Sequence, residues 1–258
     1  MSAAPSDAPL QTISPDWPAP PAVRAAFTLR MGGVSAAPFD SLNVGAHVGD
    51  TGAAVTENRR RVCTQLRLPA EPLWLEQVHG IDVLELDARP AAAATAARSG
   101  PADAVIARRA GQVCVIQVAD CMPVLFAARD GRAVAAAHAG WRGLAAGVLE
   151  ATVARLAVAP RGLIAWLGPA IGPAHFEVGG EVRAAFLAHD PAAAGAFRAN
   201  SRGRWQCDLS ALARQRLGAA GVSAVFGGRW CTYADPARFF SYRRDGQCGR
   251  MAALIWLV

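Results

Sequence analysis

The chain has 258 residues, of which 53% are hydrophobic and 18% charged, so it can bury a sizeable core as one large domain or two small ones. Its formal net charge of +6 comes from 26 basic residues that are all Arg and scattered, which argues against a nucleic-acid face and excludes a lysine Schiff base or lysine general base. Six Cys without any Cys-x-x-Cys pair, and no apolar stretch long enough to span a bilayer, argue against a disulfide scaffold and a membrane protein and make a reducing cytoplasm the expected location.

Residues 1–22 are Pro/Ala/Ser-rich, with neither a signal peptide nor an anchor, and are expected to form a disordered lead-in; one catalytic domain is expected over 23–258. Val23–Leu29 reads as a strand before a Gly-Gly turn. Ala53–Leu68 reads as a helix with Val55, Val62, Cys63 and Leu66 on one side and a solvated Arg59-Arg60-Arg61 run on the other. Leu73–Val78 and Ile81–Leu86 read as strands flanking a turn at His79-Gly80, and 89–100 as an Ala-rich loop or short helix. Four short apolar runs, Asp103–Ala107, Val113–Ala119, Pro123–Ala128 and Ala133–Ala139, read as buried strands. Cys121 then follows one strand and His138 nearly ends another. A helix over Gly143–Leu156 comes next, then a strand at Leu163–Leu167 that runs into Gly-Pro-Ala-Ile-Gly-Pro. Helices near Glu181–His189 and Leu209–Leu217 precede a closing strand at Arg250–Leu257. The pattern predicts an α/β (α+β) single domain of mixed β-sheets layered with outer helices.

His79, Cys121 and His138 together are a competent zinc ligand set, and three protein ligands leave a fourth position for water or substrate. Separations of 42 and 17 residues rule out a compact zinc-finger loop. Taken singly, each residue has a plainer reading: a His beside Gly as a turn residue, a lone Cys as a small buried hydrophobe.

The surroundings decide between these. Thr28-Leu29-Arg30-Met31-Gly32-Gly33-Val34-Ser35, Ser41-Leu42-Asn43-Val44-Gly45, His47-Val48-Gly49-Asp50, Gln77-Val78-His79-Gly80, Ala102-Asp103-Ala104, Ala119-Asp120-Cys121, His138-Ala139-Gly140-Trp141-Arg142-Gly143, Gly168-Pro169-Ala170-Ile171-Gly172-Pro173 and Phe239-Phe240-Ser241-Tyr242-Arg243-Arg244 follow in order. This series resembles the laccase-domain (polyphenol-oxidase-like, YfiH-type) family, whose members include zinc-dependent purine nucleoside phosphorylases and the peptidoglycan editing factor. The resemblance implies that His79, Cys121 and His138 are metal ligands, with Zn2+ as cofactor. The departures are Tyr242, where many relatives carry His, and Ala170 and Ala174-His175, where relatives often carry Cys.

The resemblance implies phosphorolysis of adenosine, inosine, guanosine or methylthioadenosine, with adenosine deamination as a side activity. Zinc would polarise a bound water or act as a Lewis acid. Cys121 and His138 are candidate catalytic groups. Asp120 is either an acid/base carboxylate or a turn cap, and Asp103 leans toward a structural turn. Arg142, just before a helix N-terminus, is a candidate phosphate ligand, and Arg30, Asn43, His47 and Arg243 join it as substrate-binding candidates. Trp141 and Phe240 could stack on a purine, whereas Arg244 reads as a surface residue. The partners expected are a purine nucleoside and phosphate, with no nucleic acid or membrane, and a monomer or homodimer. The alternative is an amidase acting on mis-loaded UDP-MurNAc-amino acid precursors through the same site. Five His cannot supply a multicopper centre, so laccase chemistry is not expected, although copper could occupy such ligands in vitro. A structural zinc is disfavoured by the missing fourth ligand.

Overall fold

The computed structural model describes residues 9–86 and 100–258. The Ala-rich stretch 89–100 thus lies outside the described residues except for Gly100. In chain order the elements are β1 (Thr12–Ile13), β2 (Val23–Thr28), α1 (Gly52–Gln65), β3 (Val83–Glu85), β4 (Ala104–Ala107), β5 (Val113–Val118), β6 (Met122–Ala128) and β7 (Val134–Ala139). They continue with α2 (Trp141–Ala146), α3 (Val148–Leu156), β8 (Leu163–Leu167), β9 (Glu177–Val178), α4 (Gly180–Leu187), β10 (Phe197–Ala199), β11 (Trp205–Cys207), α5 (Leu209–Ala219), β12 (Ala224–Gly227), α6 (Tyr242–Asp245) and β13 (Met251–Leu257).

Two sheets stack face to face. One runs β1-β2-β13-β5 and the other β12-β8-β6-β7-β4-β3; a small sheet, β10-β11-β9, stands beside them. Strand alternation explains the layers. Ile116, Ala253, Leu125, Ala136 and Trp166 face inward between the sheets, while their neighbours Val115, Leu254, Val124, Ala137 and Ala165 face outward. The outward set of the first sheet packs on Val62 of α1, and that of the second packs on α3, α4 and α5. The result is four layers, α/β/β/α, with strands apolar on both faces because both faces are covered.

Several sequence expectations need correction. The described part of the lead-in, residues 9–22, is structured: Thr12 pairs with Thr28, and Asp16 accepts a hydrogen bond from Trp166 Nε1 at 3.1 Å. Its few apolar residues suffice because β2 offers a free edge to pair with. Leu73–Val78 is extended with one isolated bridge, Glu76 to Pro101, in place of a strand. Helix Gly143–Leu156 breaks in two at Gly147, whose φ of +108° no other residue adopts readily. The Arg59–Arg61 run is not a solvated face. Arg59 donates to Val44 O and lies over Trp74, and Arg61 is buried against Glu57 and Gly32 O, leaving only Arg60 outside.

Candidate metal centre and cavity

The site forms at one end of the inter-sheet layer. The β4–β7 register pairs Ala104 with Ala137 and therefore sets Asp103 across from His138, whose N–H donates to Asp103 O at 2.7 Å. His138 Nδ1 lies 2.8 Å from Asp103 Oδ1, which fixes the ring and leaves Nε2 for the cluster. Asp103 is fully buried and its carboxylate also accepts the backbone N–H groups of Val78, His79 and Gly80 at 3.0, 2.9 and 2.6 Å. One carboxylate thus positions two of the three predicted ligands. Four non-glycine residues among those described have positive φ, and two are here: His79 at +62° and Asp120, beside Cys121, at +83°. Strain of this kind persists where its surroundings over-determine it.

His79, Cys121 and His138 are brought together: one donor atom from each lies within 4.8 Å of the others, and Cys121 Sγ is 3.7 Å from His79 Nε2. A Cβ on Gly140 would stand 2.8 Å from both Cys121 Sγ and His79 Cδ2, and one on Gly143 3.0 Å from Gly80 O. Both glycines of His-Ala-Gly-Trp-Arg-Gly therefore let the backbone press against the cluster. Burial alone would raise the Cys121 thiol, but the positive charge of His138 and hydrogen bonds from both imidazoles bring it down to about 6. Burial would likewise lower His138, and the charges of Cys121 and Asp103 raise it to about 9. A soft thiolate with two imidazoles, converging on one point and braced by a buried carboxylate, fits a metal such as zinc or copper.

A cavity of about 460 Å³ opens over the cluster, within the range of about 300–1,000 Å³ usual for small-molecule sites. Of the predicted binding residues, His47, Arg142 and Arg243 line it, as does Trp141, whose ring carries the Arg142 guanidinium at 4.5 Å. Burial and then the charges of Arg250, Arg59 and His138 hold His47 below its usual pKa.

Arg30 and Asn43 do not reach the cavity. Arg30 is spent on Asp40 O, Asp40 Oδ2 and Pro236 O. Asn43 is fully buried and ties Gly45, Asp50 and the Arg250 N–H together. Phe240 is core, stacked under Arg30 at 4.7 Å. Arg244 is no free surface residue, since it donates to the carbonyls of Thr232, Tyr233 and Phe239. Asp120 lines the cavity with both oxygens engaged, accepting from Thr232 Oγ1 and from the Arg243 N–H at 2.6 Å each.

Sequence reasoning missed Arg250 and assigned no role to Gln77, Gln117 or Tyr242, all of which line the cavity. Gln117 carried a signal, as the one polar side chain inside Val113–Val118. Arg250 carried none, because it precedes an ordinary apolar strand.

Fold and site together define a single-domain α/β/β/α protein with, among the described residues, a metal-competent two-histidine, one-cysteine cluster in an arginine-lined cavity. The family model described as multi-copper polyphenol oxidoreductase laccase matches residues 24–258, and the chain belongs to that family. It is 56% identical over 246 residues to a protein named purine nucleoside phosphorylase from Pseudomonas aeruginosa, covering 95% of this chain and 98% of that one. It is 54% identical, with the same coverage, to purine nucleoside phosphorylase YfiH of Escherichia coli. Among solved structures, a Neisseria meningitidis protein of the DUF152 family superposes with a TM-score of 0.89 at 48% identity, covering 95% of this chain and 98% of that one. YlmD of Geobacillus stearothermophilus gives 0.82 at 35% identity, with 92% of each chain covered. No helix among the described residues is long and apolar enough to cross a membrane.

Proposed function

We propose that the protein is a zinc-dependent purine nucleoside phosphorylase, with adenosine deamination as an accompanying activity at the same site. The observation that carries this reading is the cavity itself, which Arg142, Arg243 and Arg250 line together with the two-histidine, one-cysteine cluster. The names borne by relatives above 50% identity supply the substrate class. His79, Cys121 and His138 would hold the zinc, which when bound supplies a Lewis acid at an open position.

The chain's own residues supply the remainder. Guanidiniums bind phosphate oxygens through charge-assisted hydrogen bonds, and here Asp120, with both oxygens already engaged, leaves them without a competing carboxylate. The outward Tyr242 offers a flat apolar face to a purine ring, and Trp141 backs the Arg142 guanidinium beside it. In the reaction a phosphate oxygen bonds to C1′ as the C1′–N9 bond breaks. The purine leaves with the bonding pair and takes up a proton. Asp103 keeps His138 Nδ1 occupied, so only its Nε2 can serve the site.

The test is product analysis of zinc-loaded protein with adenosine, with and without phosphate, beside Cys121→Ala. Phosphate-dependent adenine and ribose 1-phosphate, lost in the variant, is the expected result. Inosine and ammonia independent of phosphate would make deamination the main activity. Neither product from folded, zinc-loaded protein would overturn the nucleoside reading and leave the peptidoglycan-precursor amidase as the reading to test.

A further inference from the structure

Among the described residues strand β5 is an edge strand, paired with β13 on one side only. An unpaired edge leaves backbone groups without partners. At Gln117 the missing partner is replaced by a side chain. Gln77 Oε1 accepts the Gln117 N–H at 2.8 Å, and Gln77 Nε2 donates to Gln117 O at 2.9 Å. The primary amide thus imitates one peptide unit of a neighbouring strand. Gln117 answers with its own side chain, whose Nε2 donates to Leu75 O at 3.4 Å.

These bonds complete a series along the loop that carries His79. Leu75 O is held by Gln117, Glu76 O by the Ala102 N–H at 3.1 Å, Gln77 by the Gln117 backbone, and the N–H groups of residues 78, 79 and 80 by Asp103. Gln77 is two residues from His79, and Gln117 four from Cys121, on the segments that bring these two donors together from opposite sides. No other direct hydrogen bond ties residues 75–80 to β5 among those described. Asp103 fixes His79 relative to His138, and its hydrogen bonds among the described residues go to residues 78–80, 82 and 138.

We propose that the Gln77–Gln117 clasp is a positioning device for the metal centre, setting the reach between His79 Nε2 and Cys121 Sγ. It rests on the reading of these residues as metal ligands. Both polar atoms of the Gln77 amide are engaged by the Gln117 backbone. Its effect is to hold the exposed His79 in register with the thiolate, so that the ordering cost is met before a metal arrives.

The experiment is Co2+ titration of the metal-free full-length protein, competed against a chelator. It follows the thiolate-to-cobalt charge-transfer band and the visible bands of the four-coordinate ion, with melting in chelator measured alongside. Gln77→Met keeps the packing of the stem and removes both hydrogen bonds. Its expected effect is about 10–100-fold weaker Co2+ affinity with altered visible bands, while melting in chelator stays close to wild type. Gln77→Glu keeps the acceptor for the Gln117 N–H and sets a carboxylate against Gln117 O, so it is expected to weaken binding as well. Affinity within two-fold of wild type in a folded variant would overturn the clasp and leave the metal centre standing. Failure of the wild type to bind Co2+ would overturn the metal reading, and this inference with it. Unfolding of both variants in chelator would make the pair a determinant of folding and equally overturn a positioning role.

Discussion

At the scale of single residues, Asp103 concentrates more of the site than any ligand does. It accepts from an imidazole and three backbone N–H groups while fully buried. Burial alone would raise its pKa, but the hydrogen bonds from His138, Gly80 and Val78 win and lower it. A carboxyl depressed below its unfolded value of about 3.9 contributes stability that is present above that pH and lost as pH falls through the lower native value. Asp103→Asn leaves an NH2 where an acceptor is needed. We expect a loss of about 1–3 kcal/mol at neutral pH and a shallower acid limb in denaturation of the metal-free protein; an unchanged acid limb would contradict this. Cys121 supplies a second measurement. In chelator-treated protein its alkylation, followed by peptide mass mapping, is expected to remain fast down to about pH 6. Buried Cys207, pushed up to about 12, should stay inert, and zinc should protect Cys121. Gly140→Ala would put a methyl group 2.8 Å from the sulfur and is expected to abolish metal binding in a folded protein.

At the scale of elements, the short α6 reaches the cavity because of what its N-terminus is tied to. Ser241 caps it through Arg244 N, and Asp120 accepts from Arg243 N while its other oxygen holds Thr232. Asp120 thereby holds the segment that carries Tyr242 and Arg243, and of the two roles weighed from sequence, acid/base carboxylate and turn cap, we propose that it positions. Asp120→Ala is expected to raise KM for nucleoside and phosphate at least ten-fold with a smaller change in kcat; a fall in kcat alone would restore a catalytic role. The α2–α3 break at Gly147 matters differently. It turns the chain just after Trp141 and Arg142 so that α3 can cover the second sheet. Gly147→Ala forces a left-handed φ on a residue with a Cβ 3.4 Å from Arg216 Nη2, so we expect a destabilisation of about 1–2 kcal/mol by calorimetry.

At the scale of the whole molecule, the stacked sheets decide where chemistry can occur. The sheet faces are sealed by helices and apolar side chains, and this cavity opens at an end, where the turn after β5 delivers Cys121 and the end of β7 delivers His138. The net charge of +6 is scattered in sequence, yet three of the arginines line this opening. Screening should therefore weaken anion capture, so KM for phosphate is expected to rise with ionic strength. Arg250→Gln should raise it ten-fold or more and flatten that salt dependence. Equal KM values for variant and wild type across salt would remove Arg250 from the anion site.

The sequence by itself determined the central strand runs of the two sheets, though not β1 or β12 at their edges, the turns at His79 and Cys121, and the three residues that converge as a candidate ligand set. Each is written locally, as apolar runs of strand length, as Gly and Asp at turns, and as rare His and Cys inside distinctive motifs. It also contained β9–β12 and α6 without announcing them, because those elements are too short to show a period. Only the tertiary structure decided that Arg250 faces the cavity while Arg30 and Asn43 do not, and that Arg59 and Arg61 lie inside. It alone made Asp103 the brace of two ligands and Gln77 the substitute for a missing strand. The physical reason is the same in each case: a long polar side chain takes its partner from whatever the fold brings within about 3 Å, and those partners lie tens to hundreds of residues away in sequence.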